Sequence, residues 1–290
     1  MESVLILGNL TIDDVVLADG TTYMGSLGGN TIHVACAAIV NGVKPILVAR
    51  MGEDFELEVL SPLTARGADI SHLISIPGPT VRNWVIYEWD GRRTWLYRTK
   101  KERSLEVSPE PSDITPDLLR DCRVVHICAM PLANAESLVA EVRKLSPSMF
   151  ITLDTHEDWV SGYRERLVTL AKKVDVFLPS IEELEMLVGE KDPTKSIEIL
   201  KGLGIKSAVI KANSDGAYVL EFGATTHVEA PLVIAKDSTG AGDSFCGALI
   251  AALALDHNLI ISAKIACETA SLAIQDSGSL RLLSAGSKGE

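Results

Sequence analysis

Six short runs of aliphatic and β-branched residues punctuate the chain: VLILG at 4–8, ILVAR at 46–50, RVVHICA at 123–129, FITLD at 150–154, VDVFLP at 174–179 and AVIKA at 208–212. Between most of them, apolar residues recur at three- and four-residue intervals, as in AESLVAEVRKL (135–145) and YRERLVTLAKKV (163–174). This alternation reads as βαβ units, and hence as an α/β fold with a mostly parallel sheet flanked by helices. One stretch breaks the rhythm. TVRNWVIYEWDGRRTWLYRT (80–99) carries two aromatic, β-branched runs around Asp90-Gly91, a strong hairpin signal, and holds Trp84, Trp89 and Trp95. It predicts an antiparallel excursion that either covers a site, meets a second subunit or simply packs in a sheet. The polar, proline-marked stretch 100–119 leads back to the main fold.

The 290 residues, 47% of them hydrophobic, are enough for one large domain. A formal net charge of −12 argues against binding nucleic acid or anionic membranes through bulk charge. An anionic substrate would therefore need a metal ion or backbone dipoles. Five cysteines without CxxC spacing fit buried thiols in a reducing compartment. The opening MESVLILGNLTIDD lacks a basic region and a cleavage site, and no apolar run approaches the ~20 residues that span a bilayer, so a cytoplasmic protein is expected.

The chemistry concentrates in KDSTGAGDSFCG (236–247), where Gly240, Ala241 and Gly242 precede an apolar segment of helical period. A bare turn feeding a helix N-terminus offers unpaired amides and a dipole to a phosphoryl group. Asp243 in that first turn has two roles open to it: a dipole-stabilised terminus residue, or a general base that takes a proton from an attacking hydroxyl. A dinucleotide fingerprint would sit after an early strand with an acid ~20 residues on, and a P-loop would read GxxxxGK[ST]; neither pattern is present.

DSTGAGDSF (237–245), GNLTIDD (8–14) and LGGNTIHVACAAIVNG (27–42) together resemble the ribokinase-like (PfkB) family of carbohydrate and nucleoside kinases, over nearly the whole chain. The resemblance implies a single ribokinase-like α/β domain over 1–290 that binds ATP and Mg2+, with a small β lid formed by about 12–27 and 78–100. Asp243 then matches the catalytic base, and Gly240, Ala241 and Gly242 the anion hole. Asp13 matches the acid that accepts hydrogen bonds from substrate hydroxyls, a task that suits a carboxylate facing a diol. Gly28 and Gly29 match the glycine pair beside the substrate, and Asn30 is either a further substrate contact or a helix cap. Asp237 lies where some members hold a monovalent cation such as K+, and is otherwise a turn acid.

The sequence also departs from the family pattern. His33 stands where the family commonly has asparagine, and is as readily a core residue as a ligand contact. The N-x-x-E element that organises magnesium is SIEE here, keeping Glu183, a Mg2+ contact through water, but replacing asparagine with Ser180. Asn213 replaces a glycine three residues before Gly216; asparagine tolerates positive φ, so the nucleotide turn can survive. Lys211, Asn213, Gly216 and Ser180 are the ATP-side candidates, and Arg98 is the candidate from the hairpin for an acceptor's phosphate or carboxylate. The expected activity is ATP-dependent phosphorylation of a small sugar or polyol. A nucleoside or inositol kinase and a non-catalytic sugar-binding descendant are the alternatives, with a nucleotide-linked oxidoreductase behind them. A homodimer through the lid is compatible with the aromatic hairpin.

Overall fold

A computed structural model describes residues 1–89, 92–276, 278 and 280–285. The expected Asp90-Gly91 turn and the C-terminal residues 286–290 lie outside the described residues. In chain order the strands are β1 (Ser3–Leu7), β2 (Thr11–Val16), β3 (Thr22–Gly28), β4 (Lys44–Gly52), β5 (Asp69–Ile76), β6 (Val81–Tyr87), β7 (Arg93–Tyr97), β8 (Cys122–Ile127), β9 (Phe150–Asp154), β10 (Val176–Leu178), β11 (Ala208–Lys211), β12 (Ala217–Glu221) and β13 (Ala224–Val228). Nine of them form one sheet in the order β13-β12-β11-β10-β9-β8-β1-β4-β5. It is parallel from β5 to β11 and closes with the antiparallel pairs β11–β12 and β12–β13. All six apolar runs are strands of this sheet. Three strands of the sheet were not among these runs: β5, DISHLISI, an edge strand that stays half-exposed and so lacks an apolar run, and β12 and β13 at the opposite end.

The two-residue period of the strands feeds two separate cores. Val4, Ile6, Leu47 and Val209 pack with the helices Asn30–Val40, Ala241–Ala254 and Leu259–Ala273 on one face. Leu5, Leu7, Val48 and Ile210 pack with the helices Leu132–Leu145, Glu157–Ala171, Ile181–Val188 and Pro193–Gly202 on the other. Among the described residues no helix is long and apolar enough to cross a membrane.

The remaining four strands form the small second sheet, β3-β2-β6-β7, in which β2 pairs parallel with β6 and the other pairs are antiparallel. Val85, Asp13 and Asn83 are buried in it, whereas Trp89, Trp95, Leu96 and Tyr97 are exposed.

The helices Asn30–Val40 and Ala241–Ala254 meet at Gly247. A Cβ there would sit 2.2 Å from the Val34 carbonyl oxygen and 2.8 Å from the Ala37 Cβ. Only the missing side chain allows this approach. Gly247→Ala should therefore push the helices apart and destabilise the fold by about 1–3 kcal/mol. Urea unfolding measures this, and an unchanged midpoint and slope would refute the tight crossing.

Candidate active site

Strands β1 and β8 are neighbours whose onward connections run in opposite directions along the sheet, β1 toward β4 and β8 toward β9, and a crevice opens beyond the carboxyl ends of the strands at such a point. Asn30 bridges that crevice. Its Oδ1 accepts from the Asn9 amide at 2.8 Å and its Nδ2 donates to the Ala129 carbonyl at 2.5 Å, tying the segments that follow β1 and β8. The helix is capped by Gly29 without any side-chain hydrogen bond, so Asn30 is not its cap. Gly29 has φ 96°, and a Cβ on it would lie 2.3 Å from the Asn9 carbonyl oxygen. Gly28 needs its bareness for another reason: a Cβ would sit 2.0 Å from Asp13 Oδ2.

Asp13 comes from β2, in register with Asn83 of β6. It is 5% exposed and its Oδ1 accepts from Asn83 Nδ2 at 2.9 Å and Thr11 Oγ1 at 3.0 Å. Burial pushes its pKa above the ordinary aspartate value, against the opposing pull of those two hydrogen bonds. Asn83 Oδ1 is buried with no hydrogen-bond partner. Arg98 goes elsewhere. Its guanidinium pairs with buried Asp14 and lies 4.9 Å over the Trp84 ring, and Asp14, Trp84 and Leu96 are register partners. Cross-strand partners share a face, and Arg98 is two residues beyond Leu96, so it belongs to the face opposite Asp13 and Asn83.

The glycine turn faces this pocket from the other helix. Gly240, at φ 69°, caps Ala241–Ala254, with Asp243 in its first turn. A Cβ on Gly240 would lie 2.2 Å from Nδ1 of His33, so the histidine ring is packed directly against the turn. His33 is 6% exposed and, with Asp13, Gly28, Asp237, Thr239 and Arg281, lines one narrow cavity. The expected cation ligand Asp237 carries a guanidinium: its carboxylate accepts from Tyr87 Oη at 2.7 Å and the Thr239 amide at 2.8 Å, and Arg281 Nη1 lies 3.4 Å away. Burial pushes Asp237 up, but these partners outweigh it and hold its pKa below the ordinary value.

Along the sheet from this turn lies a second charged group. Lys211, at the end of β11, donates to Asp154 Oδ1 at 2.5 Å, and Asp154 ends β9. A Cβ on Gly242 would be 3.7 Å from Lys211 Nζ, which puts an ammonium beside the turn. Burial pulls Lys211 down, but Asp154, Cys246 and Glu183 outweigh it and hold the amine protonated. Ser180 and Glu183 form a reciprocal capping box at the start of Ile181–Val188, with Ser180 Oγ accepting from the Glu183 amide at 3.1 Å and Glu183 Oε2 accepting from the Ser180 amide at 2.7 Å. Burial, opposed by Lys211 and helped by Asp154, lifts the Glu183 carboxyl to about 7. Asn213 adopts φ 53°, as its tolerance of positive φ suggested, and donates to Glu182. Gly216 sits at φ 99°, where a Cβ would meet the Val228 carbonyl oxygen at 2.0 Å.

Among the described residues no cluster of three or more His, Cys, Asp or Glu is arranged to hold a metal ion. Asp154 and Glu183 are the two acids beside the Lys211 ammonium and are the residues that would hold Mg2+, through water.

The sequence matches the pfkB family of carbohydrate kinases over residues 1–285. The chain belongs to that family. Within it, the chain is 28% identical over 236 residues to the 2-dehydro-3-deoxygluconokinase of Thermoproteus tenax, covering 78% of this chain and 72% of that protein. It is 27% identical over 256 residues to the cytidine kinase of Thermococcus kodakarensis, covering 87% and 88%. A protein assigned as ribokinase II from E. coli, solved with ATP and Mg2+, superposes with a TM-score of 0.80 over 99% of this chain and 98% of that one, at 21% identity. The ribokinase-like fold is therefore that of the chain.

Several residues around this candidate site carry little or no signal in the sequence. Asp154 had a signal, an acid closing the apolar run FITLD at the carboxyl end of a strand. Asn83, Tyr87 and Arg281 had none, since each gains its role from a distant partner.

Glu183 generates a pH signature. Its carboxyl rises from 4.5 to about 7 on folding, so the folded state holds that proton more tightly than the unfolded chain. The resulting stability is complete below 4.5 and is lost as pH rises through about 7. Glu183→Gln should accordingly flatten thermal stability between pH 5 and pH 7 (roughly the window of that loss) relative to wild type. Parallel melting curves would contradict the buried, protonatable carboxyl.

Proposed function

We propose that this pfkB protein transfers the γ-phosphoryl group of ATP to a hydroxyl of a small sugar, sugar acid or polyol. The observation that carries the reading is the packing of His33 on Gly240, which joins the carboxylate pocket of Asp13 and Gly28 to the amide-rich turn Gly240–Gly242. An acceptor held by the first would present its hydroxyl to a phosphorus held by the second.

Asp13, fixed by Asn83 and Thr11, accepts hydrogen bonds from acceptor hydroxyls, and the unpartnered Asn83 Oδ1 accepts another. Asp243 takes the proton of the reacting hydroxyl as its oxygen bonds to phosphorus. The bond to the bridging oxygen breaks, its electron pair leaves with ADP, and the proton remains on the carboxylate. The amides of Gly240, Ala241 and Gly242 carry charge on the transferring group, aided by the Lys211 ammonium beside Gly242. The Asn213–Gly216 turn supports the nucleotide. Mg2+, when held through water by Glu183 and Asp154, would neutralise triphosphate charge. Arg98 acts within the lid, against Asp14, and the exposed Trp89 and Trp95 suit a lid-to-lid homodimer.

Asp243→Asn should lower kcat by at least ~10²-fold with ATP affinity retained, because proton removal is lost while the amides stay. Asp13→Asn should instead act mainly through the acceptor, raising its KM by ~10-fold or more. A coupled ADP-release assay over sugars, sugar acids, polyols and nucleosides, with ATP and Mg2+, checks both. Wild-type turnover by Asp243→Asn would sink the base assignment; phosphorylation of nucleosides alone would replace the acceptor class.

A further inference from the structure

Arg281 belongs to none of the motifs that point to the site, yet its guanidinium reaches the turn that faces the acceptor pocket. It is 8% exposed, at the start of the short helix Arg281–Ala285. Nη1 donates to the Gly278 carbonyl at 3.0 Å and lies 3.4 Å from Asp237 Oδ2, while Nη2 donates to the Thr239 carbonyl at 2.5 Å. One carboxylate and two carbonyl oxygens, from the turn 237–239 and from Gly278, thus surround one guanidinium. An oxygen-only set of this kind, with one net negative charge, is what a hard cation takes. In this chain the positive charge is covalently attached.

The second half of the arrangement comes from the lid. Tyr87, at the end of β6, donates to Asp237 Oδ1 at 2.7 Å and contacts Thr239 Oγ1. Asp237 Oδ1 also accepts from the Thr239 amide at 2.8 Å. The peptide groups on both sides of Thr239 are therefore pinned, its N–H by Asp237 and its C=O by Arg281. Thr239 is followed by Gly240, whose φ of 69° swings the chain into the helix. Where Thr239 is held decides where the next three amides point.

We propose that Arg281 is a positioning residue that serves as a built-in cation for the glycine turn, with Tyr87 fastening the lid to the same carboxylate, so that turnover requires no added monovalent ion. This rests on the phosphotransferase reading above. Removing the guanidinium leaves Asp237 buried and unpaired, a state that a small diffusible cation can relieve.

The experiment compares wild type, Arg281→Ala and Arg281→Gln in potassium, sodium, guanidinium and choline chloride at equal ionic strength. Wild-type kcat should be the same in potassium and choline. In choline, Arg281→Ala should lose ~10-fold or more in kcat at nearly constant acceptor KM, because the loss falls on transition-state stabilisation. Potassium or guanidinium, being small enough to enter, should restore part of it. Potassium stimulation of the wild type, a raised acceptor KM at unchanged kcat, or a loss that no small cation repairs would each overturn the proposal; the second of these would make Arg281 an acceptor ligand. Amide hydrogen exchange over 238–243, measured without substrates, separates this outcome from failure of the kinase reading. Exchange there should quicken in both variants and slow again with guanidinium but not choline. Unchanged exchange refutes the positioning role whether or not any acceptor is phosphorylated.

Discussion

The active-site architecture depends on one steric exclusion, the absence of a side chain at Gly247. With the Val34 carbonyl where a Cβ would stand, the helices Asn30–Val40 and Ala241–Ala254 cross at near-backbone distance. That crossing sets their N-terminal ends side by side, so that His33 meets Gly240. The glycine pair and the glycine turn, some 210 residues apart in the chain, become two walls of one crevice. Each further glycine at the crevice removes a specific clash: Gly28 with the Asp13 carboxylate, Gly29 with the Asn9 carbonyl, Gly240 with the His33 ring.

The electrostatics of this crevice run against the bulk composition. A chain with a net charge of −12 repels polyanions, yet two cations, half-buried Lys211 and buried Arg281, lie beside the glycine turn. Each is kept there by an aspartate, Asp154 or Asp237. A buried charge without a partner would cost several kcal/mol, so the pairs arise together or not at all. Net charge is a statement about the outer surface and long range; at the turn, nearby paired charges and backbone amides decide which anion is tolerated. The same logic gives Glu183 its raised pKa, because burial next to Asp154 penalises a second negative charge more than Lys211 relieves it.

The sequence made the layers legible because strand and helix periods are local properties. Six apolar runs became six strands of the large sheet, and the aromatic interruption became β6 and β7 of the small one. Positions defined by backbone freedom were also legible: Asn213 does adopt positive φ, as its tolerance of that region suggested. Side-chain roles were less so. Ser180, an ATP-side candidate, also caps a helix, since a serine three residues ahead of a glutamate satisfies two orphan amides on the spot. Arg98 was expected at the acceptor and instead pairs with Asp14, because the register of β2, β6 and β7 sets it on the far face.

By itself the sequence determined the α/β architecture and the places where the backbone must be bare, for these follow from residue type and spacing within a few positions. Tertiary structure alone decided who meets whom. Asn83 reaches Asp13 across 70 residues, Tyr87 reaches Asp237 across 150, and Arg281 returns to Asp237 across 44. Nothing in the composition near any of these residues selects its partner. Strand register and the crossing of two helices do, by fixing which buried polar groups lie within hydrogen-bond reach once the core has closed.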